Sequence, residues 1–150
     1  MKIVFTLIGV GLILLSNNTY GQTKQDSLEI KQVALDYIES QHKPNPQQMQ
    51  GALHPRFVKR TFWKDKATNK EYLRETTAES MVLLAESYNK NGDKFPATPK
   101  KEVKLLDVSQ KTASVKLTAD DWIDYMHIVK LNGKWQIANV LWEFNDITQH

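Results

Sequence analysis

The stretch DYMHIVKLNGKWQIANVLWEF, residues 124–144, sets Asn132-Gly133 between two runs rich in β-branched and aromatic residues. A two-residue Asn-Gly loop favours a type I′ turn, because both central positions need positive φ, and that turn fixes the register of the strands it joins. Counting outward, Lys130 meets Trp135, Ile128 meets Ile137, Met126 meets Asn139, Asp124 meets Leu141 and Trp122 meets Glu143 on one face. The other face pairs Val129 with Gln136, His127 with Ala138, Tyr125 with Val140 and Ile123 with Trp142. Neither set reads as the polar side of a one-sided sheet, so both faces are expected to be covered. A β-bulge toward Trp122 would shift the far end by one residue and exchange its faces.

The preceding segments supply the cover. Asp26 and Glu29 have the spacing of a capping box, and Ile30, Val33, Ala34, Tyr37 and Ile38 recur with helical period. Asn45 before Pro46 marks a short helix through Met49 toward Leu53. Pro55 holds His54 out of helical geometry, and RTFWKD and KEYLRE flank a polar link as two short strands. Thr76 and Glu79 form a second capping box opening a helix over Thr77–Asn89, apolar on most sides and therefore expected to be buried. After a Gly- and Pro-punctuated loop, EVKLLDV, TASVKLTA, WIDYMHIVKL and KWQIANVLWEF read as an antiparallel meander. The class is α+β, with helices over one sheet face.

Residues 1–21 read differently. Lys2, the apolar run Ile3–Leu15 and a polar stretch ending on Gly21 have the parts of a secretory signal peptide, too short to span a bilayer. Cleavage after Gly21 would leave 22–150 as one domain, exported to the periplasm or beyond, with no membrane segment. The chain has no cysteine, so a disulfide framework and a lipidated N-terminal Cys are excluded. The net charge of +3 is too small to argue for nucleic acid. It is uneven, however: Arg56, Lys59, Arg60, Lys64, Lys66, Lys70 and Arg74 cluster, whereas acids dominate from Asp120 onward.

The same residues carry a family resemblance. DYMHIVKLNGKWQIANVLW, with LHPRFVKR at 53–60 and KKEVKLLDVSQKTASVKL at 100–117, resembles the proteins described as putative lumazine-binding, within the nuclear transport factor 2-like (SnoaL-like, ketosteroid isomerase-like) superfamily. The resemblance implies a cone-shaped fold, its curved sheet wrapped over helices around a cavity and often dimeric through the outer sheet face. The family name implies a pteridine-like ligand, but the superfamily includes enzymes and carriers alike, so the site must be argued separately.

The expected pocket is lined by Tyr37, His54, Phe57, Met81, Trp122, Asp124, Met126, Ile137, Asn139 and Leu141. The expected homodimer interface comprises Tyr125, His127, Val129, Ala138, Val140 and Trp142. An inward Asp124 needs a partner or a proton. Desolvated, it would be a general base, with His54 as acid or orienting group and Asn139 donating to an oxyanion. Three functions follow: a small-molecule-binding module for an aromatic or anionic ligand, a cofactor-free isomerase or hydrolase, and a dimeric interaction protein with a vestigial cavity. His42, His54, His127 and His150 lack metal-ligand spacing, and no phosphate-binding glycine loop or Gly-x-Ser-x-Gly elbow occurs, so no metal or cofactor is expected.

Overall fold

The computed structural model describes residues 23–146; the signal-like segment lies outside them. The elements in chain order are α1 (Lys24–His42), α2 (Pro46–Ala52), β1 (Leu53–Lys64), β2 (Glu71–Thr77), α3 (Ala78–Ser87), β3 (Lys101–Val108), β4 (Thr112–Ala119), β5 (Trp122–Leu131) and β6 (Lys134–Phe144). The six strands form one curved, unclosed sheet in the order β2-β1-β6-β5-β4-β3, and the helices pack on its inner face. Every neighbouring pair is antiparallel except β1 with β6, a parallel join between the N-terminal hairpin and the C-terminal meander. Among the described residues, no helix is long and apolar enough to cross a membrane.

The α1 stripe lies where its period places it: Ile30, Ala34, Tyr37 and Ile38 are fully buried. Its start differs. Thr23 is the N-cap, and Asp26 is the residue that closes the capping box, because the Thr23 hydroxyl accepts from Asp26 N while the Asp26 carboxylate accepts from Thr23 N. The α1 cap thus lies three residues before the expected one, whereas that of α3 lies one residue after it, at Thr77, whose hydroxyl accepts from Ser80 N. That helix is not buried all round, since it covers the sheet with Met81 and Ala85 while Leu83 stays 58% exposed. With one neighbouring layer available, one stripe is all it can bury.

The hairpin keeps the expected register only near its turn. Asn132 and Gly133 have φ of 50° and 81°, and Lys130 pairs with Trp135 and Ile128 with Ile137. Then Ala138 is inserted as a β-bulge, so His127 pairs with Asn139, Met126 with Val140, Asp124 with Trp142 and Trp122 with Phe144. The faces of β6 exchange beyond it. Val140, fully buried, and Trp142 point to the helices rather than to the outer face, whereas Asn139 and the 53%-exposed Leu141 point outward rather than into a pocket. In the uninterrupted register, Asn139 and Glu143 would enter an apolar interior while Val140, Trp142 and Phe144 left it, which costs more than the ladder bonds a bulge gives up. Beside the bulge, β1 also slips against β6 between Leu53 and Val58, where Pro55 has no N–H to donate.

Candidate functional site

The inner side of β1 alternates Phe57, Lys59, Thr61 and Trp63, and the first three are buried. Lys59 is only 7% exposed because it crosses the bottom of the cone to Asp124, which is fully buried on β5. Lys59 Nζ donates to Asp124 Oδ1 at 2.9 Å and to the Tyr37 hydroxyl at 2.8 Å. Trp122 Nε1 donates to the other carboxylate oxygen at 3.2 Å. The partner an inward Asp124 requires is thus a lysine from the opposite half of the sheet. Removing charge from water depresses the Lys59 amine below its ordinary range, with Asp124 opposing that effect. Burial, and then the Asp124 charge, raise Tyr37 well above the ordinary phenol range, so it remains a phenol.

A pocket of about 230 Å³ opens above this cluster. Lys59 and Trp122 form its floor, Trp63, Arg74 and Thr76 its wall from the β1-β2 hairpin, Met81, Leu84 and Tyr88 its roof, and Trp142 and Phe144 the remaining side. Lys59 Nζ lies 4.7 Å from the centroid of the Trp142 ring and 6.0 Å from that of Trp122. Arg74 lies over Trp63 at 4.7 Å, bringing a second cation to the mouth. An ammonium has three donors, and Asp124 and Tyr37 take two, which leaves one for an acceptor atom of a bound molecule. Flat aromatic walls, a donor on the floor and a guanidinium at the rim suit a small planar molecule bearing oxygen acceptors.

The expected pocket residues divide into three groups. Met81 and Trp122 line the pocket, and Tyr37 and Asp124 lie directly beneath it. Phe57, Met126 and Ile137 are buried in the core. His54, Asn139 and Leu141 are elsewhere. His54 lines a separate hollow with Ala78 and Val82, and its Nδ1 accepts from Arg56 N as a turn residue, so it is not brought together with Asp124. Asn139 bridges His127 and Arg60 on the outer face, and Arg60 also pairs with Glu75. Trp63 and Phe144 were not singled out from the sequence, and Lys59 and Arg74 were noted there only as members of the basic cluster, not as pocket residues. The RTFWKD and KEYLRE strands contain two of them, Trp63 and Arg74, and Lys59 stands just before the first; β1 carries cations on both faces, so alternation alone does not say which lysine turns inward.

A larger hollow, about 770 Å³, lies between the ends of α1 and α2 and the 89–100 loop. The charged side chains there, such as Glu39 and Lys101, are more than a third exposed or close to it, so it lacks the desolvated charge of the aromatic pocket. It contains His42, whose buried Nε2 has no hydrogen-bond partner; burial lowers this imidazole's pKa, and its ring packs edge-on against Phe95 at 4.4 Å. Among the described residues, no group of three acidic or histidine side chains is placed to hold a metal ion.

Comparison with known proteins agrees with this architecture. The family described as "Putative lumazine-binding" matches residues 25–143. A nuclear transport factor 2-like protein of unknown function from Shewanella baltica superposes with a TM-score of 0.62 at 19% identity, over 83% of this chain and 98% of that one. A second, from Methylobacillus flagellatus, gives 0.66 at 15% identity, over 83% and 96%. A ketosteroid isomerase-like protein from Erwinia carotovora atroseptica gives 0.57 at 11%, over 83% and 99%. No curated protein matches the sequence. At these identities the structures show the fold alone; the family match shows kinship, and the chain belongs to the putative lumazine-binding family with a nuclear transport factor 2-like fold.

Proposed function

We propose that the protein is an exported binding module for a small planar aromatic molecule with oxygen acceptors, held in the pocket above Lys59. The observation that carries this reading is a desolvated Lys59–Asp124 pair at the base of an open aromatic pocket. Its volume, about 230 Å³, is below the roughly 300–1,000 Å³ of drug-sized sites, which matches one or two fused rings. The family name points to lumazine, a bicyclic dione, as the first probe. Because Trp63, Trp122 and Trp142 line the pocket, lumazine should change the tryptophan fluorescence saturably. Trp142→Ala or Arg74→Ala should weaken that response; a wild-type protein unresponsive to lumazine and to simple aromatic acids would overturn the reading. Asp124 acting with His54 is not supported, because Asp124 is fully buried beneath the aromatic pocket whereas His54 lines a different hollow.

The outer face supports a homodimer as part of the same proposal. Tyr125 (41% exposed), Leu141 (53%), Phe62 (36%) and Leu73 (58%) stand on that side of the sheet, beside His127, Val129 and Ala138. Leu141→Lys should convert the dimer to a monomer in light scattering. Export rests on the signal-like residues 1–21, and mass spectrometry should find the mature chain starting at Gln22.

A further inference from the structure

We infer that Lys59 is a carbonyl-reactive amine, so that the pocket captures aromatic aldehydes or ketones reversibly as imines. This rests on the pocket reading above and goes beyond it from binding to bond formation.

Four observations combine. Lys59 is the pocket's only primary amine among its lining residues, and it sits on the floor, where a ring stacked on Trp142 would present its substituent. Its Nζ is 2.9 Å from Asp124 Oδ1, so a proton acceptor is already in hydrogen-bonding contact with the nucleophile. Trp122 holds the second carboxylate oxygen, which fixes the carboxyl plane and leaves Oδ1 to exchange protons with the amine. Tyr37, hydrogen-bonded to the same nitrogen and kept as a phenol, is placed as a donor to the oxygen that develops charge. Burial further favours the neutral amine, because a desolvated lysine surrenders its proton more readily than a surface one.

The chemistry balances with these groups alone. A proton passes from the Lys59 ammonium to Asp124, leaving a neutral amine and a carboxylic acid. The nitrogen lone pair attacks the carbonyl carbon, the C–N bond forms, and the carbonyl π pair moves to oxygen. That oxygen takes a proton from Asp124, directly or through Tyr37, and the nitrogen returns one to the carboxylate, giving a carbinolamine. Asp124 then protonates the hydroxyl, water leaves, and the nitrogen lone pair closes the C=N bond to a protonated imine beside an Asp124 carboxylate. Nothing is oxidised or reduced, and water reverses each step.

Benzaldehyde with cyanoborohydride, followed by peptide mapping, tests this on the purified protein, because the hydride converts any iminium to a stable benzylamine. Lys59 should be benzylated at least about tenfold faster than exposed Lys104 and Lys134, because only Lys59 has a carboxylate and a phenol placed to carry its protons. Benzoate should slow labelling at Lys59 alone. Asp124→Asn, which keeps the shape but cannot take the proton, should remove that advantage. If Lys59 is labelled no faster than the surface lysines while benzoate still alters the tryptophan fluorescence, the pocket stands and the amine chemistry is overturned. If benzoate does not alter the fluorescence and Lys59 is not labelled, the pocket reading falls, and this inference with it.

Discussion

The molecule builds the same three-residue cluster twice, at opposite ends of the β5-β6 hairpin. Near the turn, Asp26 accepts from Lys130 Nζ at 2.6 Å and Trp135 Nε1 at 3.0 Å. At the far end, Asp124 accepts from Lys59 Nζ on one carboxylate oxygen and from Trp122 Nε1 on the other, whereas Lys130 and Trp135 share a single oxygen of Asp26. The partners match, yet the lysines shift in opposite directions. Lys130, whose side chain is 29% exposed, is raised above its ordinary pKa, first by its hydrogen bond to Asp26; Lys59 is lowered by burial despite a carboxylate 2.9 Å away. Access to water therefore decides the chemistry, and the partner does not. One cluster staples the start of α1 to the sheet, and the other is held ready beneath a pocket.

The severest way to break the comparison is to insert one alanine after Val140. The turn-end cluster lies before the insertion and keeps its register, whereas Trp142 and Phe144 would be driven to the outer face and Leu141 and Glu143 turned inward. We expect loss of most of the roughly 5–15 kcal/mol that stabilises a domain, read as the disappearance of a cooperative thermal transition. Native-like unfolding of the insertion variant would refute the assignment of faces.

Next in size is Lys59→Met, which leaves a buried carboxylate with no cation and should cost about 3–5 kcal/mol in urea unfolding. Adding Asp124→Leu should recover most of it, because an apolar pair has no charge to desolvate. A double variant as unstable as the single one would show that packing, and not charge, holds the floor together.

The smallest effect belongs to Asp26→Asn. This pair is reachable by water, so the variant should lower Tm slightly at low salt and hardly at all at high salt. Its pH dependence has two edges. Asp26 is held well below the usual carboxylate range, first by Lys130 and then by Trp135, so its contribution is complete above about pH 5 and is lost as pH falls toward the folded value. Lys130 is raised, so its contribution is complete below about pH 9 and is lost as pH rises through the folded value. The difference in Tm between wild type and Asp26→Asn should therefore shrink at both extremes.

What the sequence reveals depends on whether the cause is local. The Asn132-Gly133 turn, the α1 stripe and the Asn45-Pro46 cap are each specified by neighbouring residues, and the structure has them. The bulge is different, since Ala138 is neither glycine nor proline and β6 is irregular at that point against both of its neighbours. Asn139 and Leu141 were therefore assigned to the pocket, and Val140 and Trp142 to the outer face, each on the wrong side of β6. The pocket floor was half legible: Asp124 on the inner face demanded a partner, but Lys59 lies 65 residues away on a strand reached only through the parallel β1-β6 join.

That join also constrains the order in which the chain can assemble. The β1-β2 hairpin and the β3-to-β6 meander are each closed by short connections and can form early, whereas β1 must wait for the last strand made. Closing so long a loop is an entropic search that short hairpins avoid. Until it succeeds, the β1 and β6 edges are unpaired templates for other strands. A chain emerging from N- to C-terminus would thus spend its most aggregation-prone interval just before β6 appears, and its pocket would be among the last features to exist.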